Sequence, residues 1–257
     1  MADQNAKSVP IDVELASPDW KLRTTIVAPA GPRRLRQLLP LANALADAVT
    51  GMAEEVLEKR GEKISCKKGC AACCRSMVPI SEVEARRIRE LVEALPEPQR
   101  SQTLARFGEA LRRLDEAGLE GQLRSREQWS DLDNTRFQVE YFRQGIACPF
   151  LEDETCTIYR DRPASCREFL VTSPPEKCAE PTNEEVRIVK LPFRTMSALA
   201  RFDTGPADER IRWVPLVLAL EWASEHPDTS APRPGPELTR ELFQHLAEQG
   251  DGELSFH

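Results

Sequence analysis

Cysteine is the residue type with the clearest chemical pattern in this chain. All cysteines fall in two groups, of which the first reads CKKGCAACC and the second begins CPFLEDETC. The candidate ligands are Cys66, Cys70, Cys73, Cys74, Cys148, Cys156, Cys166 and Cys178. Thiolates are soft ligands that suit zinc, iron–sulfur clusters and Cu(I). The pattern therefore predicts a metal centre.

No histidine complements these sulfur atoms. His226, His245 and His257 all follow the last cysteine and lack the spacing of metal ligands. We therefore expect an all-sulfur centre that joins distant parts of the chain. Adjacent Cys73 and Cys74 cannot easily point at the same metal ion, which predicts two centres or one multinuclear centre. Either arrangement holds more than one metal atom per chain.

Two other interpretations compete with the metal centre. Free cysteine is often buried as a small apolar residue, but eight cysteines confined to two groups fit that role poorly. Cys70 and Cys73 also have the C-x2-C spacing of a redox pair, although no strand–helix–strand pattern surrounds them. The metal centre is the favoured hypothesis.

The cysteine pattern resembles a known family. C-x3-C-x2-C-C, followed in order by C-P-F-L, C-x-I-Y-x2-R-P and C-R, is similar to the CxxCxxCC-type cysteine-cluster family of zinc- or iron-chelating proteins. The resemblance covers about residues 64–180 and implies that all eight cysteines chelate metal. The family in turn is similar to the cysteine-rich part of flagellin lysine N-methylases, which implies an enzyme as an alternative.

The spacing of the cysteines does not decide between zinc and an iron–sulfur cluster. Zinc ribbons usually have two short C-x2–4-C knuckles, whereas the second group here is spaced by 7, 9 and 11 residues. Iron–sulfur ligand sets tolerate irregular spacing, and Cys148-Pro149 is similar to the Cys-Pro that ends ferredoxin ligand runs. An iron–sulfur cluster is favoured, with zinc as the alternative.

Basic residues flank the cysteines. They are Lys67, Lys68, Arg75, Arg162 and Arg167. Cations and N–H donors beside a thiolate centre lower thiol pKa values and tune reduction potentials. We expect Arg162 and Arg167, on either side of Cys166, to form an accessible edge of the centre.

Composition limits the function further. The 257 residues are 40% hydrophobic and 30% charged, which is typical of a globular protein. The net charge of −7 removes the long-range attraction that general nucleic-acid binding uses. No apolar run approaches the ~20 residues of a membrane span, and the N-terminus lacks a signal-peptide pattern. We expect a cytoplasmic protein that binds neither nucleic acid nor membrane, with an unidentified protein partner or substrate.

Apolar periodicity predicts a mainly α fold, with helices around a loop-rich, cysteine-organised metal-binding centre. The chain up to about residue 30 is expected to wrap the surface as an extended arm. Pro32 is expected in the first turn of the first helix, and Pro40 is expected to bend that helix. The expected helices lie at about 35–59, 82–95, 104–118, 126–143 and 237–248, with a helical or buried segment at 206–225.

Other segments give weaker signals. Phe137, Phe142, Trp129 and Leu132 are expected to face inward from the fourth helix. Alternation predicts short strands over 186–191 and 169–172, but only weakly. The predicted domains are residues 1–63 as an arm and helix, 64–180 as the metal-binding domain, and 181–257 as a helical extension with a Pro-rich linker at 226–236.

Three functional hypotheses follow from these patterns. The first is a metal-binding protein in which the cysteines hold an iron–sulfur or zinc centre that ties the helices together. The second is an iron–sulfur enzyme that modifies a protein side chain, as the likeness to lysine N-methylases implies. The third is a zinc-stabilised adaptor without chemistry.

Overall fold

The computed structural model describes residues 8–17, 20–180, 185–204, 210–249 and 253–256. Helices predominate in these residues, and the sheets are small and antiparallel, which confirms the predicted mainly α fold. The α-helices are α1 Leu39–Lys59, α2 Glu82–Glu93, α3 Gln99–Glu116, α4 Glu120–Arg124, α5 Asp131–Arg143, α6 Ala164–Glu168, α7 Thr195–Arg201, α8 Ala219–Glu225 and α9 Gly235–Ala247. The strands are β1 Ser8–Ser17, β2 Trp20–Pro29, β3 Pro32–Arg33, β4 Pro79–Ile80, β5 Leu151–Glu152, β6 Thr155–Cys156, β7 Val214–Pro215, β8 Arg233–Pro234 and β9 Glu253–Phe256. Short 3₁₀ turns occur at Leu35–Leu38, Ala72–Arg75, Arg126–Gln128, Tyr159–Asp161, Pro175–Ala179 and Leu216–Leu218.

The N-terminal segment forms a β-hairpin, so the predicted surface arm is wrong. β1 pairs antiparallel with β2 along its whole length, and β9 pairs with β1 at residues 13–16. Ile11, Val13 and Leu15 are at most 2% exposed. Alternate side chains of a strand share one face, so these three residues fix β1 on the core. Residues 1–7 and 18–19 lie outside the described residues.

The first helix forms where the periodicity predicts, but its prolines act differently. Pro40 lies in the first turn of α1, where a missing N–H costs nothing, so it does not bend the helix. Pro32 lies in β3 and pairs with Pro234 of β8. The predicted linker at 226–236 is thereby tied to the start of the chain, and α9 begins at Gly235.

Ser81 caps α2. Its Oγ accepts the N–H of Glu84 at 3.4 Å. The Glu84 carboxylate accepts in turn from the N–H of Ser81 at 2.9 Å and from its hydroxyl at 2.8 Å. This capping box satisfies two donors at the helix start.

The third and fourth predicted helices correspond to α3 and α5. Gly118 follows α3 with a φ of 69°, the left-handed conformation that ends helices. Phe137 and Tyr141 are buried on α5. Leu132 is 58% exposed, so its predicted inward position is wrong.

The short strands predicted over 169–172 and 186–191 are present only as one isolated bridge between the two segments. Val171 and Ile188 form an antiparallel pair, and residues around them form no longer strand. In the predicted segment 206–225, residues 206–209 lie outside the described residues. The remainder contains β7 and α8.

Three clusters of buried apolar side chains form the interior of the described chain. The first packs β1, α1, α7 and α9 together. The second packs α3, α4 and α5, and the third surrounds α2, Phe150 and Ile158, with Cys148 and Cys156 against it. No helix among the described residues combines the length and apolarity of a membrane span. The three-domain division stays a prediction.

Replacing Leu242 by Ala should lower the free energy of unfolding by about 2–5 kcal/mol, because this side chain of α9 is fully buried among β1, α1 and α7. Urea denaturation measures the change. The matched control Leu132→Ala removes an exposed leucine and should cost less than about 0.5 kcal/mol. Equal losses in the two variants would contradict the packing of α9 in the core.

Candidate metal centre

Two distant segments of the chain meet at the cysteines. The N–H of Cys148 donates to the carbonyl of Cys74 at 2.7 Å, and the N–H of Ser65 donates to the carbonyl of Val171 at 2.9 Å. The 3₁₀ turn Ala72–Arg75 also packs against the later 3₁₀ turn that carries Cys178. The second cysteine group is therefore folded back onto the first by backbone hydrogen bonds.

The first group is shaped by a turn followed by a 3₁₀ turn. Gly69 has a φ of 87°, which favours glycine, and the N–H of Cys70 donates to the carbonyl of Lys67 at 2.9 Å. Cys73 and Cys74 then occupy consecutive positions of the 3₁₀ turn.

A tight hairpin carries Cys156. Asp153 and Glu154 connect β5 and β6 with φ values of 47° and 55°, as a two-residue hairpin turn of the I′ type requires. Arg75 donates to both carboxylate oxygens of Glu154, at 2.6 and 3.1 Å. This bidentate pair ties the hairpin to the turn of the first cysteine group.

Helix α6 carries Cys166, and its start is fixed by Glu84. The Oε1 atom of Glu84 accepts the N–H of Ala164 at 2.8 Å. Burial raises the pKa of the Glu84 carboxyl, while the hydrogen bonds from Ala164 and Ser81 oppose that rise. One buried carboxyl therefore joins the first turns of α2 and α6.

Three cysteines face a small cavity together with Cys73, and we call them set A. They are Cys66, Cys70 and Cys178. The cavity measures about 10 Å³, which is about the volume of one water-sized sphere. Burial raises the pKa of the Cys178 thiol, and repulsion from the other thiolates adds to it. The N–H of Val171 donates to Sγ of Cys66 at 3.4 Å.

Three other cysteines lie close to Cys73 and to one another, and we call them set B. They are Cys148, Cys156 and Cys166. Burial raises the pKa of Cys148 to about 12 and that of Cys166 well above its usual value, and neighbouring thiolates raise both further. Backbone N–H groups of Phe150 and Ile158 donate to Cys148 and Cys156 and partly offset the rise.

Cys73 interacts with members of both sets, and Cys74 follows it in the same 3₁₀ turn. A hydrogen bond with Cys74, followed by burial, raises the pKa of the Cys73 thiol far above its usual value. Cys73 also raises the pKa of cysteines in both sets, including Cys66 and Cys166. All eight predicted ligand residues are thus brought to one region, as partly buried free thiols.

The donor chemistry of this region fits a soft metal ion. Eight sulfur atoms gather here, and no imidazole of the described residues lies among them. Metal binding would replace the mutual repulsion of thiolates by attraction to a cation. Among residues 8–17, 20–180, 185–204, 210–249 and 253–256, however, no group of three or more His, Cys, Asp or Glu side chains has the geometry of a metal site. The thiols are gathered but not arranged around an ion.

The prediction that Arg162 and Arg167 form an accessible edge of the centre is wrong for Arg167. Arg167 is 6% exposed and donates to the carbonyls of Arg160 and Arg162 and to both carboxylate oxygens of Asp47, the latter at 2.8 Å. Its guanidinium therefore ties α6 to α1. It provides no accessible edge.

Arg162 does face the cysteines. Its charge lowers the pKa values of Cys73 and Cys156 against the larger opposing effects. Its guanidinium carbon lies 3.9 Å from the centre of the Tyr159 ring. The two lysines of the first group are exposed surface charges.

Sequence reasoning missed the second role of Glu84. The spacing from Ser81 to Glu84 predicts a helix cap, but nothing in the sequence relates Glu84 to Ala164. Only the packing of α2 against α6 brings these residues together.

Comparison with known proteins supports the resemblance seen in the sequence. Residues 65–186 match the family model CxxCxxCC, described as a putative zinc- or iron-chelating domain. The match confirms that these residues resemble this family. No curated protein and no solved structure matches the chain. The likeness to flagellin lysine N-methylases is not shown by these comparisons.

In metal-free protein at pH 8, iodoacetamide should alkylate the set B thiols at least about ten times more slowly than free cysteine, whose pKa is about 8.5. The reason is that the thiolate is the nucleophile and that burial raises the pKa of Cys148 to about 12. Peptide mass spectrometry after timed quenching measures the rate at each site. Protein unfolded in urea is the control, and equal rates in folded and unfolded protein would contradict the burial of these thiols.

Replacing Arg167 by Gln should lower the free energy of unfolding by about 2 kcal/mol, because it removes charge-assisted hydrogen bonds to two backbone carbonyls. The variant also loses the ion pair with Asp47. Because the Asp47 side chain is half exposed, losing this pair adds little to the loss of stability. Thermal and urea unfolding measure the effect. Arg160→Gln is the control, since the Arg160 side chain is exposed; a larger loss in the control would contradict the structural role of Arg167.

Proposed function

We propose that this protein binds zinc or iron through all eight cysteines, in a centre that holds more than one metal atom. The observation that carries the proposal is the convergence of two cysteine groups on Cys73, from segments that are distant in the sequence. The family description, a zinc- or iron-chelating domain, supports the metal-binding part of it.

The division of the thiols supports a count above one metal. Set A and set B each supply three sulfur atoms, and Cys73, which is adjacent to Cys74, lies close to both sets. If Cys73 belongs to one side and Cys74 to the other, each side has four sulfur ligands, the number that one zinc ion or one iron–sulfur cluster takes. A single tetrahedral ion would leave half of the thiols without a metal.

We favour iron–sulfur over zinc on the spacing of the second group, which lacks the second short knuckle of a zinc ribbon. An iron–sulfur cluster would supply electron transfer or Lewis-acid chemistry. The chain contributes N–H donors to sulfur at Cys66, Cys148 and Cys156, and the cation of Arg162 beside them. Such donors stabilise thiolates and set the reduction potential of a cluster.

A reducing compartment suits this function. Free thiols persist in the cytoplasm because glutathione and thioredoxin keep them reduced, so we propose a cytoplasmic location. The expected protein partner or substrate, the absence of nucleic-acid binding, the enzymatic alternative and the adaptor alternative stay predictions.

Protein purified without oxygen should contain more than one metal atom per chain by elemental analysis. An iron–sulfur cluster should give visible absorption that bleaches with dithionite, and zinc should give none. One metal ion per chain, or none with eight freely titrating thiols, would contradict the proposal.

Cys73→Ser and Cys166→Ser should each lower the metal content and lower the melting temperature by more than about 5 °C. The reason is that the metal closes a loop of about 75 residues, so that its binding energy becomes folding energy. Lys68→Ala changes an exposed residue of the first group and should leave both quantities unchanged. Full metal retention in both serine variants would show that these two thiols are not ligands.

A further inference from the structure

A cleft of about 590 Å³ lies beside the cysteine region, between α1, α2 and the Arg160–Pro163 turn. Its volume is within the range of about 300–1,000 Å³ that small-molecule sites occupy. Arginine is the most frequent residue along its wall. The arginines are Arg36, Arg87, Arg160, Arg162 and Arg167, and the carboxylates are Asp47, Glu84, Glu90 and Asp161.

Two of these arginines, Arg36 and Arg87, are neutralised by carboxylates of the cleft. Glu90 accepts from Arg36 at 2.8 Å and from Arg87 at 3.5 Å. Asp161 lies 3.8 Å from Arg87. These four side chains compensate one another and leave little net charge for a ligand.

The remaining two carboxylates are also engaged. Asp47 binds the guanidinium of Arg167 through both oxygens. Glu84 is buried, and its oxygens accept hydrogen bonds from Ser81 and Ala164. Every carboxylate of the cleft therefore already has donors of its own.

Arg160 and Arg162 differ from the other arginines. Neither has a carboxylate within 4 Å in the described part of the chain, and the Arg160 guanidinium donates no hydrogen bond there. Arg162 makes one long hydrogen bond, 3.4 Å to the carbonyl of Tyr159, and its Nε is buried without an acceptor. Buried hydrogen-bond donors are nearly always paired in proteins, so the unpaired Nε–H of Arg162 needs an explanation.

We propose that this cleft binds a small molecule that carries an oxyanion, a carboxylate or a phosphate, and that Arg160 and Arg162 are its anchors. Guanidinium groups present planar pairs of N–H donors that match such oxyanions. Two guanidiniums that are two residues apart, and that have no carboxylate within 4 Å in the described part of the chain, give the cleft local positive charge in a chain of net charge −7.

The site adjoins the cysteine region through Arg162. The same residue lines the cleft and lies close enough to Cys73 and Cys156 to lower their thiol pKa values. A ligand held there would lie next to the proposed metal centre. The anion site itself needs only the arginines, so it can be tested separately from metal binding.

The test is isothermal titration of the full-length protein, as purified, with inorganic phosphate and with malonate at low ionic strength. We expect saturable binding of one anion per chain with a Kd below about 10 mM. Arg160→Gln and Arg162→Gln should each weaken binding about tenfold, the effect of losing about one charge-assisted hydrogen-bond pair. Arg143→Gln, on the exposed side of α5 and away from the cleft, should bind as the wild type does.

Tighter binding of phosphate would identify the natural ligand as a phosphate compound, and tighter binding of malonate would identify a carboxylate. The absence of saturable binding by both probes would overturn the proposal. So would binding that is unchanged in Arg160→Gln, a variant of an exposed side chain that should fold even if Arg162→Gln does not. The metal content, measured on the same samples, reports separately on the centre.

Discussion

The crowding of eight thiols around Cys73 is the constraint on which the rest of this structure depends. Burial and neighbouring thiolates raise the pKa values of Cys66, Cys166 and Cys178, so the metal-free region favours protonated sulfur. Holding ionised thiols this close together costs electrostatic free energy unless a cation lies among them. A metal cation would replace this repulsion by attraction, and the thiols would release their protons when it binds.

The surrounding elements hold the two cysteine groups together without a sulfur–sulfur bond. Backbone hydrogen bonds join Cys74 to Cys148 and Ser65 to Val171, and the Arg75–Glu154 pair fixes the hairpin beside them. Backbone hydrogen bonds can hold the two groups together at little entropic cost, because the chain already positions both the donor and the acceptor. The backbone therefore holds the two cysteine groups next to each other.

Buried polar residues orient the helix that carries Cys166. Glu84 joins the starts of α2 and α6, and Arg167 joins α6 to Asp47 on α1. Removing one partner of such a group leaves an unpaired buried charge or donor, which is costly in a low-dielectric interior. The same framework forms the inner wall of the arginine-lined cleft, so the cleft and the cysteine region share their rigid support.

The sequence by itself determined the elements whose signals are local. The capping box at Ser81, the turn at Gly69, the glycine after α3 and the apolar periodicity of α1 each involve neighbours within a few residues. The residue types of the candidate metal centre were also determined by sequence, because cysteine spacing is itself the signal. The alternation of Ile11, Val13 and Leu15 was present too, but prolines and polar residues around it concealed the strand.

Only the tertiary structure decided which residues face one another. The division of the cysteines into set A and set B depends on how residues 148–178 fold back onto residues 66–74. Arg167 lies next to Cys166 in sequence, yet its side chain turns toward Asp47, because α6 packs on α1. Long-range contacts of this kind follow from the packing of whole helices, for which spacing along the chain carries no signal.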